Sequence, residues 1–478
     1  MTFKPETLTF NYRPGQTVTR PTLPEEETLA TMEAPPEPRD WGYVGLLAFT
    51  AVMLLRPQDR VPSLTSVHIA EICAFFGIGP MLLHRFARRL PVFRFTPETV
   101  GLIVLGAAIL LTAPFSVWPG GAIEVFTDSY VKIVIVFVLM MNTLTTTERL
   151  EQLTWLILFC TGVVAALGVM NYISGVNLVE DGRLAGPVGG IFGNPNDLAM
   201  NMVTFLPPTI VVAMAKRHSP ARRMTAAVIA LLMLATIVFT KSRGGLLGLG
   251  AAVLALALLG HWVRRGFGTA LVLTILIAMP FAPTSFWTRM TSILDEKQDK
   301  QEFTGSREAR QQVMSYGIST FAKYPITGVG AGQFKNYNPS DREAKFLETH
   351  NVLIQVAVET GVVGLLAFAF LIWRAIKAAW DTKRVTRDKD WMSWMKKLNR
   401  ADAARVLAEH AVGLEAGLVG WFVCAMFASV AYNWTFYYVL ALLVAARELA
   451  TRQVFAVAPA KQKSVSIRTP RLSTRTAS

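Results

Sequence analysis

The chain predicts an all-α, polytopic integral membrane protein of about twelve transmembrane helices, with a large, partly helical hydrophilic loop between the ninth and tenth; three observations carry that prediction. Hydrophobic residues make up 52% of the 478 positions and charged residues 17%, and the mean hydropathy is +0.39, a balance wrong for a soluble globular chain. Charge-poor apolar runs recur at the length a helix needs to cross a hydrocarbon layer of about 30 Å. The basic residues gather in short clusters between those runs, so the formal net charge of +14 reads as membrane topology and not as a nucleic-acid surface.

The elements follow in order. Residues 1–40 are rich in Pro, Glu and Thr and poor in large apolar side chains, a composition expected to stay disordered. Twelve apolar runs follow at 41–55, 65–83, 99–118, 129–145, 150–173, 197–215, 223–240, 244–262, 267–285, 350–373, 411–431 and 433–448, and 449–478 is a basic tail expected to be disordered. No cleavable signal is expected, because the first apolar run follows a polar tail. Cys73, Cys160 and Cys424 all fall inside apolar runs, which offers neither a disulfide framework nor a thiolate metal site.

Orientation follows from the short loops. One alternating set holds Arg85, Arg88, Arg89, Arg94, Arg149, Lys216, Arg217, Arg222, Arg223, Arg264 and Arg265, eleven basic residues against five (Arg56, Arg60, Arg183, Lys241, Arg243) in the other. The richer set is therefore cytoplasmic, both termini lie inside, and Arg183, Arg243 and His350 emerge together on the outer face. Trp391, Trp394 and Met395 in the basic 374–410 segment are expected on the membrane surface. An outer site has no ATP or nucleotide sugar, so a reaction there needs a donor already activated, such as a lipid-linked pyrophosphate.

Several outer residues stand out. In the irregular Ser174–Asp197 loop, Asn194 suits an N-cap, Pro195 the first helical position and Asp197 a capping-box acid, while Arg183 is the lone basic residue. The turn Thr240-Lys241-Ser242-Arg243-Gly244-Gly245 lets Ser242 cap the next helix and holds Arg243 beside its free N–H groups, an arrangement suited to a phosphate. Arg243 also fits a residue snorkelling to lipid headgroups. Asp295–Lys300 mixes acids with lysines and reads as solvated surface. Ser306 then starts an amphipathic helix whose Val313, Met314, Ile318 and Phe321 would rest on the membrane or the bundle, and whose Arg307 and Arg310 share a face. The glycines of Tyr324–Gly332 follow a helix and face outward, unlike a nucleotide loop.

Thr349-His350-Asn351-Val352 sits where this hydrophilic segment meets an apolar run, and Gly361 and Gly364 follow Asn351 after nine intervening residues. At helical spacing these glycines share a face on which a neighbouring helix would approach closely. His350 alone fits a solvated helix-end histidine as well as a functional one. Glu359 lies about 13 Å along an ideal helix from His350, too deep to orient it, and is expected to pair within the bundle or line a cavity.

His350-Asn351 with Gly361-x-x-Gly364, preceded by Pro325-x-x-Gly328-x-Gly330, by Ser242-Arg243-Gly244-Gly245 and by Arg183 with Asn194-Pro195-Asn196, resembles the O-antigen ligase and polymerase superfamily of bacterial inner-membrane enzymes, over about residues 41–448. The resemblance implies glycan transfer from undecaprenyl pyrophosphate to a hydroxyl acceptor, which would be lipid A core, a glycan chain or a protein. It implies that Arg183 and Arg243 hold the donor pyrophosphate and that His350 acts on the acceptor hydroxyl; from their shared face Arg307 or Arg310 would add a phosphate or sugar contact, and Asn194 and Asn351 are further candidate substrate-binding residues. Residue chemistry agrees: arginines stabilise a leaving pyrophosphate and a histidine accepts a proton. In-line attack, inversion, no cofactor and no metal are expected, with membrane lipids and polysaccharide-assembly proteins as further partners. A secondary transporter or lipid-glycan flippase is the alternative; it would place charged or broken helices near the bilayer midplane, where Glu71, Lys132, Glu359 and Glu415 are the available charges.

Overall fold

The computed structural model describes residues 40–67, 69–92, 95–260, 284–291, 306–337, 348–397 and 399–455. Its helices are α1 (Trp41–Leu55), α2 (Ile69–Ala87), α3 (Pro97–Thr112), α4 (Pro119–Glu124), α5 (Val131–Thr143), α6 (Thr147–Ile173), α7 (Pro195–Met214), α8 (Pro220–Phe239), α9 (Arg243–Leu259), α10 (Thr284–Thr291), α11 (Ser306–Lys323), α12 (Val352–Arg387), α13 (Lys389–Lys397), α14 (Ala401–Ala425) and α15 (Trp434–Phe455). A π-helical turn, Val125–Tyr130, joins α4 to α5. A two-stranded ribbon, β1 (Leu178–Val179) with β2 (Arg183–Leu184), is the only sheet among the described residues. The ninth apolar run lies almost wholly outside the described residues, as do Asp295–Lys300 and both tails.

The protein is all-α and of the membrane kind. Seven described helices (α2, α3, α6, α7, α8, α12 and α14) are long and apolar enough to cross a membrane. Phe75, Phe76, Leu83, Phe86, Leu111 and Leu231 are exposed, as lipid-facing side chains would be.

Two helices outrun their apolar segments. α12 continues from Trp373 to Arg387, and α14 starts ten residues before the predicted 411. The charges that end the hydropathy signal are paired: Lys377 with Asp381 at 3.2 Å, Arg217 with Glu409 at 2.7 Å and Lys383 with Glu415. Hydropathy therefore marks only part of each helix. This corrects the expectation for α13. Trp391 and Met395 are 7% and 0% exposed, because α13 folds back onto α12 and α14 instead of presenting those residues to a membrane; the Trp394 side chain lies outside the described residues.

Helix packing around the site depends on close backbone approach. Pro208 in α7 has no N–H for the Thr204 carbonyl, and Gly417 of α14 seats on that carbonyl so tightly that a Cβ would overlap it. A Cβ on Gly413 would lie 2.8 Å from Pro208 Cα, and one on Gly420 2.7 Å from Val203. α15 is buried on every side from Thr435 to Arg447. Its Arg447 and α12's Arg374 both bond fully buried Glu98 of α3, with nearest contacts of 2.7 and 2.6 Å. Glu71 pairs with Lys132 at 3.5 Å.

Candidate active site

The site is built outward from the turn between α8 and α9. Lys241 adopts a left-handed φ of 48°, Ser242 N donates to Thr240 Oγ1 (3.3 Å), and Ser242 Oγ accepts from Gly245 N (3.2 Å), capping α9. Arg243 thereby occupies the first helical position. Space requires the second of the two following glycines: a Cβ on Gly245 would lie 2.7 Å from Ala199 Cβ of α7, whereas one on Gly244 would stand a tight 3.2 Å from Phe427 Cβ beyond α14.

Arg183 comes from the other side of the turn. The ribbon pairs it with Val179 and leaves it 7% exposed. Its Nε donates to Thr240 O (3.1 Å) and its Nη2 to Asn196 Oδ1 (2.8 Å). Ser242 Oγ donates to the same Asn196 oxygen at 2.9 Å. Asn196 is thus the joint between the two arginine segments, a role the Asn-Pro-Asn sequence does not reveal. Asn194 caps α7 by accepting from Asn196 N and Asp197 N, each at 2.9 Å. Its Nδ2 donates to Asp197 Oδ2 at 2.5 Å, a side-chain version of the anticipated capping box.

Arg183, Arg243 and Arg310 line one pocket, together with Asn196, Ser242, Gly244, Gly245 and, from the end of α14 and beyond, Cys424, Phe427 and Ala428. Three guanidinium groups from segments 60 or more residues apart in sequence thus meet at a helix N-terminus. Arg307 falls in the first turn of α11, and its side chain lies outside the described residues.

His350 stands beside this pocket and does not line it. Its backbone is left-handed, with φ of 49°, and its N–H donates to Ser429 Oγ at 3.0 Å. Asn351 caps α12 by accepting from Leu353 N (3.0 Å) and Ile354 N (3.1 Å), while its Nδ2 donates to Met426 O (3.2 Å). Neither Asn194 nor Asn351 lines the pocket; both hold helix starts beside it. Gln355 Oε1 then accepts from Ala431 N (3.0 Å), so Asn351 and Gln355, four apart on one face of α12, fasten the 426–431 segment. That segment also carries Phe427 and Ala428 of the pocket. Burial, and secondarily the Arg310 charge, push the His350 pKa down from 6.5 to about 4. The imidazole is therefore neutral and able to accept a proton near pH 7, and an anion bound to the arginines would offset Arg310 and strengthen it as a base.

The glycine pair behaves differently from the expectation. Gly364 does face a neighbouring helix, near Ala108 of α3, but Gly361 breaks α12, with φ 67° and ψ −169°. The segment Pro325–Gly330 docks into that break: Val362 N donates to Pro325 O (2.8 Å), Val329 N to Val358 O (2.9 Å) and Gly330 N to Glu359 O (3.0 Å). Glu359, 4% exposed, sits beneath, and its Oε2 has no hydrogen-bond partner among the described residues. In α11, Val313 packs with Val329, Phe334 and Val358, with Phe321 at the edge of that cluster, while Ile318 is 57% exposed.

The fold and pocket define a helical membrane protein equipped to hold an anionic, phosphate-bearing group beside a neutral histidine. Residues 228–369 match the family described as O-Antigen ligase, which supports the resemblance to the O-antigen ligase and polymerase superfamily. The match spans Arg243, Arg310, His350, Gly361 and Gly364, and Arg183 lies upstream of it. The match supports a ligase or polymerase type of function in general, a type that implies a lipid-linked glycan and an acceptor. No curated protein matches the chain.

Proposed function

We propose that this protein is a glycosyltransferase of the bacterial inner membrane that moves a glycan from an undecaprenyl-pyrophosphate donor to a hydroxyl acceptor at the periplasmic face. The reading includes twelve spans, with both termini cytoplasmic. The convergence of Arg183, Arg243 and Arg310 on one pocket at the start of α9 is the observation that carries it. In this mechanism the arginines and the α9 amides hold the pyrophosphate and stabilise its charge as it leaves. His350 takes the proton of the attacking hydroxyl. The bond from the anomeric carbon to the pyrophosphate oxygen breaks as the new glycosidic bond forms, with inversion; lipid pyrophosphate leaves, and no metal takes part.

One observation favours a second reading, a lipid-glycan flippase or transporter: α12 is discontinuous at Gly361, above buried Glu359. The test uses protein in lipid nanodiscs with the undecaprenyl-pyrophosphate glycan, followed by mass and gel mobility. A ladder of longer lipid-linked glycans without added acceptor identifies a polymerase. Product appearing only with lipid A core identifies a ligase, and product only with an acceptor protein identifies an O-oligosaccharyltransferase. Movement of glycan lipid between leaflets without covalent product replaces the enzyme with the flippase.

A further inference from the structure

The last turns of α12 play no part in the site above, yet they carry an organised set of charges. Trp373, Trp380, Arg384 and Arg387 recur at spacings of seven, four and three, so they share one helix face. Trp373 and Trp380 are 49% and 56% exposed. A cleft there is lined by Trp380, Lys383, Arg384, Arg387 and Asp388.

The charges can be accounted for one at a time. Lys383 pairs with Glu415 of α14, and Trp380 Nε1 donates to the other oxygen of that carboxylate at 2.8 Å. Asp388 Oδ1 accepts from Trp391 N (2.8 Å), capping α13. Arg387 Nη2 donates to Leu259 O at 3.3 Å, and Arg384 is exposed with no acceptor among the described residues. Both carboxylates are thus engaged, and the two arginines leave the cleft with an excess of positive charge.

We propose that this cleft binds the phosphate of an anionic phospholipid headgroup, with the acyl chains running along the Trp373 side. The distances suit an interface. Along an ideal helix Trp380 lies about 10 Å and Arg384 about 16 Å beyond Trp373, which ends the apolar run, so the cleft stands at the outer edge of a headgroup layer of about 5–7 Å and meets the phosphate from its water side. Long arginine side chains turn back to meet phosphates at that level, and indole rings with one fixed N–H are suited to it. The interfacial role expected of α13 thus falls to α12.

The test is independent of glycan transfer. Purified full-length protein is titrated with phosphatidylglycerol, phosphatidylcholine or inorganic phosphate, and bound species are counted by native mass spectrometry. The expected result is one phosphatidylglycerol retained about tenfold or more tightly than phosphatidylcholine, and lost in Arg384→Gln/Arg387→Gln. Equal retention of the two lipids, or undiminished phosphatidylglycerol binding in the variant, overturns the proposal. Displacement of the lipid by millimolar inorganic phosphate also overturns it, in favour of a free-phosphate site. If the double variant does not fold, Arg384→Gln alone, an exposed position, carries the test, with a threefold or greater loss expected and no change contradicting the site.

Discussion

Replacing Gly361 by alanine separates two glycines that the sequence presents as a pair. At φ 67° and ψ −169° a residue with a side chain costs about 1–3 kcal/mol. The new Cβ would also overlap the Ile326 carbonyl, so the Pro325–Gly330 segment has to withdraw. That strains three backbone hydrogen bonds of 2.8, 2.9 and 3.0 Å, each with a net worth of about 1 kcal/mol. The expected loss is about 3–6 kcal/mol. A Cβ at Gly364 would overlap the Thr360 hydroxyl and lie 2.5 Å from Thr360 Cβ, which side-chain rotation does not move, so the turn has to shift, while Ala108 Cβ stands at an ordinary 3.6 Å. The cost there is about 1–3 kcal/mol for the displaced turn and its Thr360 to Val356 O bond, with no left-handed backbone to maintain. Gly250 has nothing within 4 Å, so Gly250→Ala is neutral or slightly stabilising. Thermal unfolding in detergent, with limited proteolysis across 324–334, should rank the variants Gly361→Ala, Gly364→Ala, Gly250→Ala from most to least damaged. Equal unfolding temperatures for the first two would refute the helix break.

Further outcomes follow from the same contacts. Glu98→Gln leaves Arg374 and Arg447 buried beside a neutral group and should cost about 3–5 kcal/mol, seen as a lower unfolding temperature; wild-type stability would rule out the cluster as a brace. Asn196→Ala removes the acceptor shared by Arg183 and Ser242 and should weaken binding of undecaprenyl pyrophosphate about tenfold and lower stability by about 1–3 kcal/mol; unchanged binding and unfolding temperature would show that Asn196 joins nothing. His350, at about 4, is neutral in the folded protein well below the pH at which an unfolded histidine protonates. It therefore costs no stability above about pH 6.5, and an increasing amount as pH falls from there toward 4. Burial is the larger cause, so Arg310→Gln should raise the midpoint by no more than about one pH unit, about 1.4 kcal/mol, read by mass spectrometry as pH-dependent carbethoxylation of His350. An unchanged or lower midpoint would show that Arg310 does not act on the histidine.

The sequence made the site's caps and basic residues legible because these are local signals. Ser242 before Arg243 and Asn194 before Pro195 announce helix starts within three residues, and the structure has both caps. Eleven of the twelve apolar runs have a matching described helix, and seven described helices are long and apolar enough to cross a membrane. What escaped was long-range. Asn196 matters because it faces Ser242, 46 residues away, and Ser429 because its hydroxyl holds His350 from 79 residues away. Neither pairing leaves a periodic trace. The break at Gly361 was read as helix packing because a glycine needed for positive φ and one needed for close approach look alike until the backbone is seen. Trp391 and Met395 were misplaced for a related reason: an amphipathic pattern gives the buried face but not what buries it.

Binding and chemistry can be separated in one measurement, the affinity of undecaprenyl pyrophosphate for the wild type and for Arg183→Ala, Arg243→Ala, Arg310→Ala and His350→Ala, alongside product formation by each. Each arginine variant should bind at least tenfold more weakly, whereas His350→Ala should bind as the wild type does and form no product. Normal binding by the arginine variants, or full activity in His350→Ala, would contradict the account.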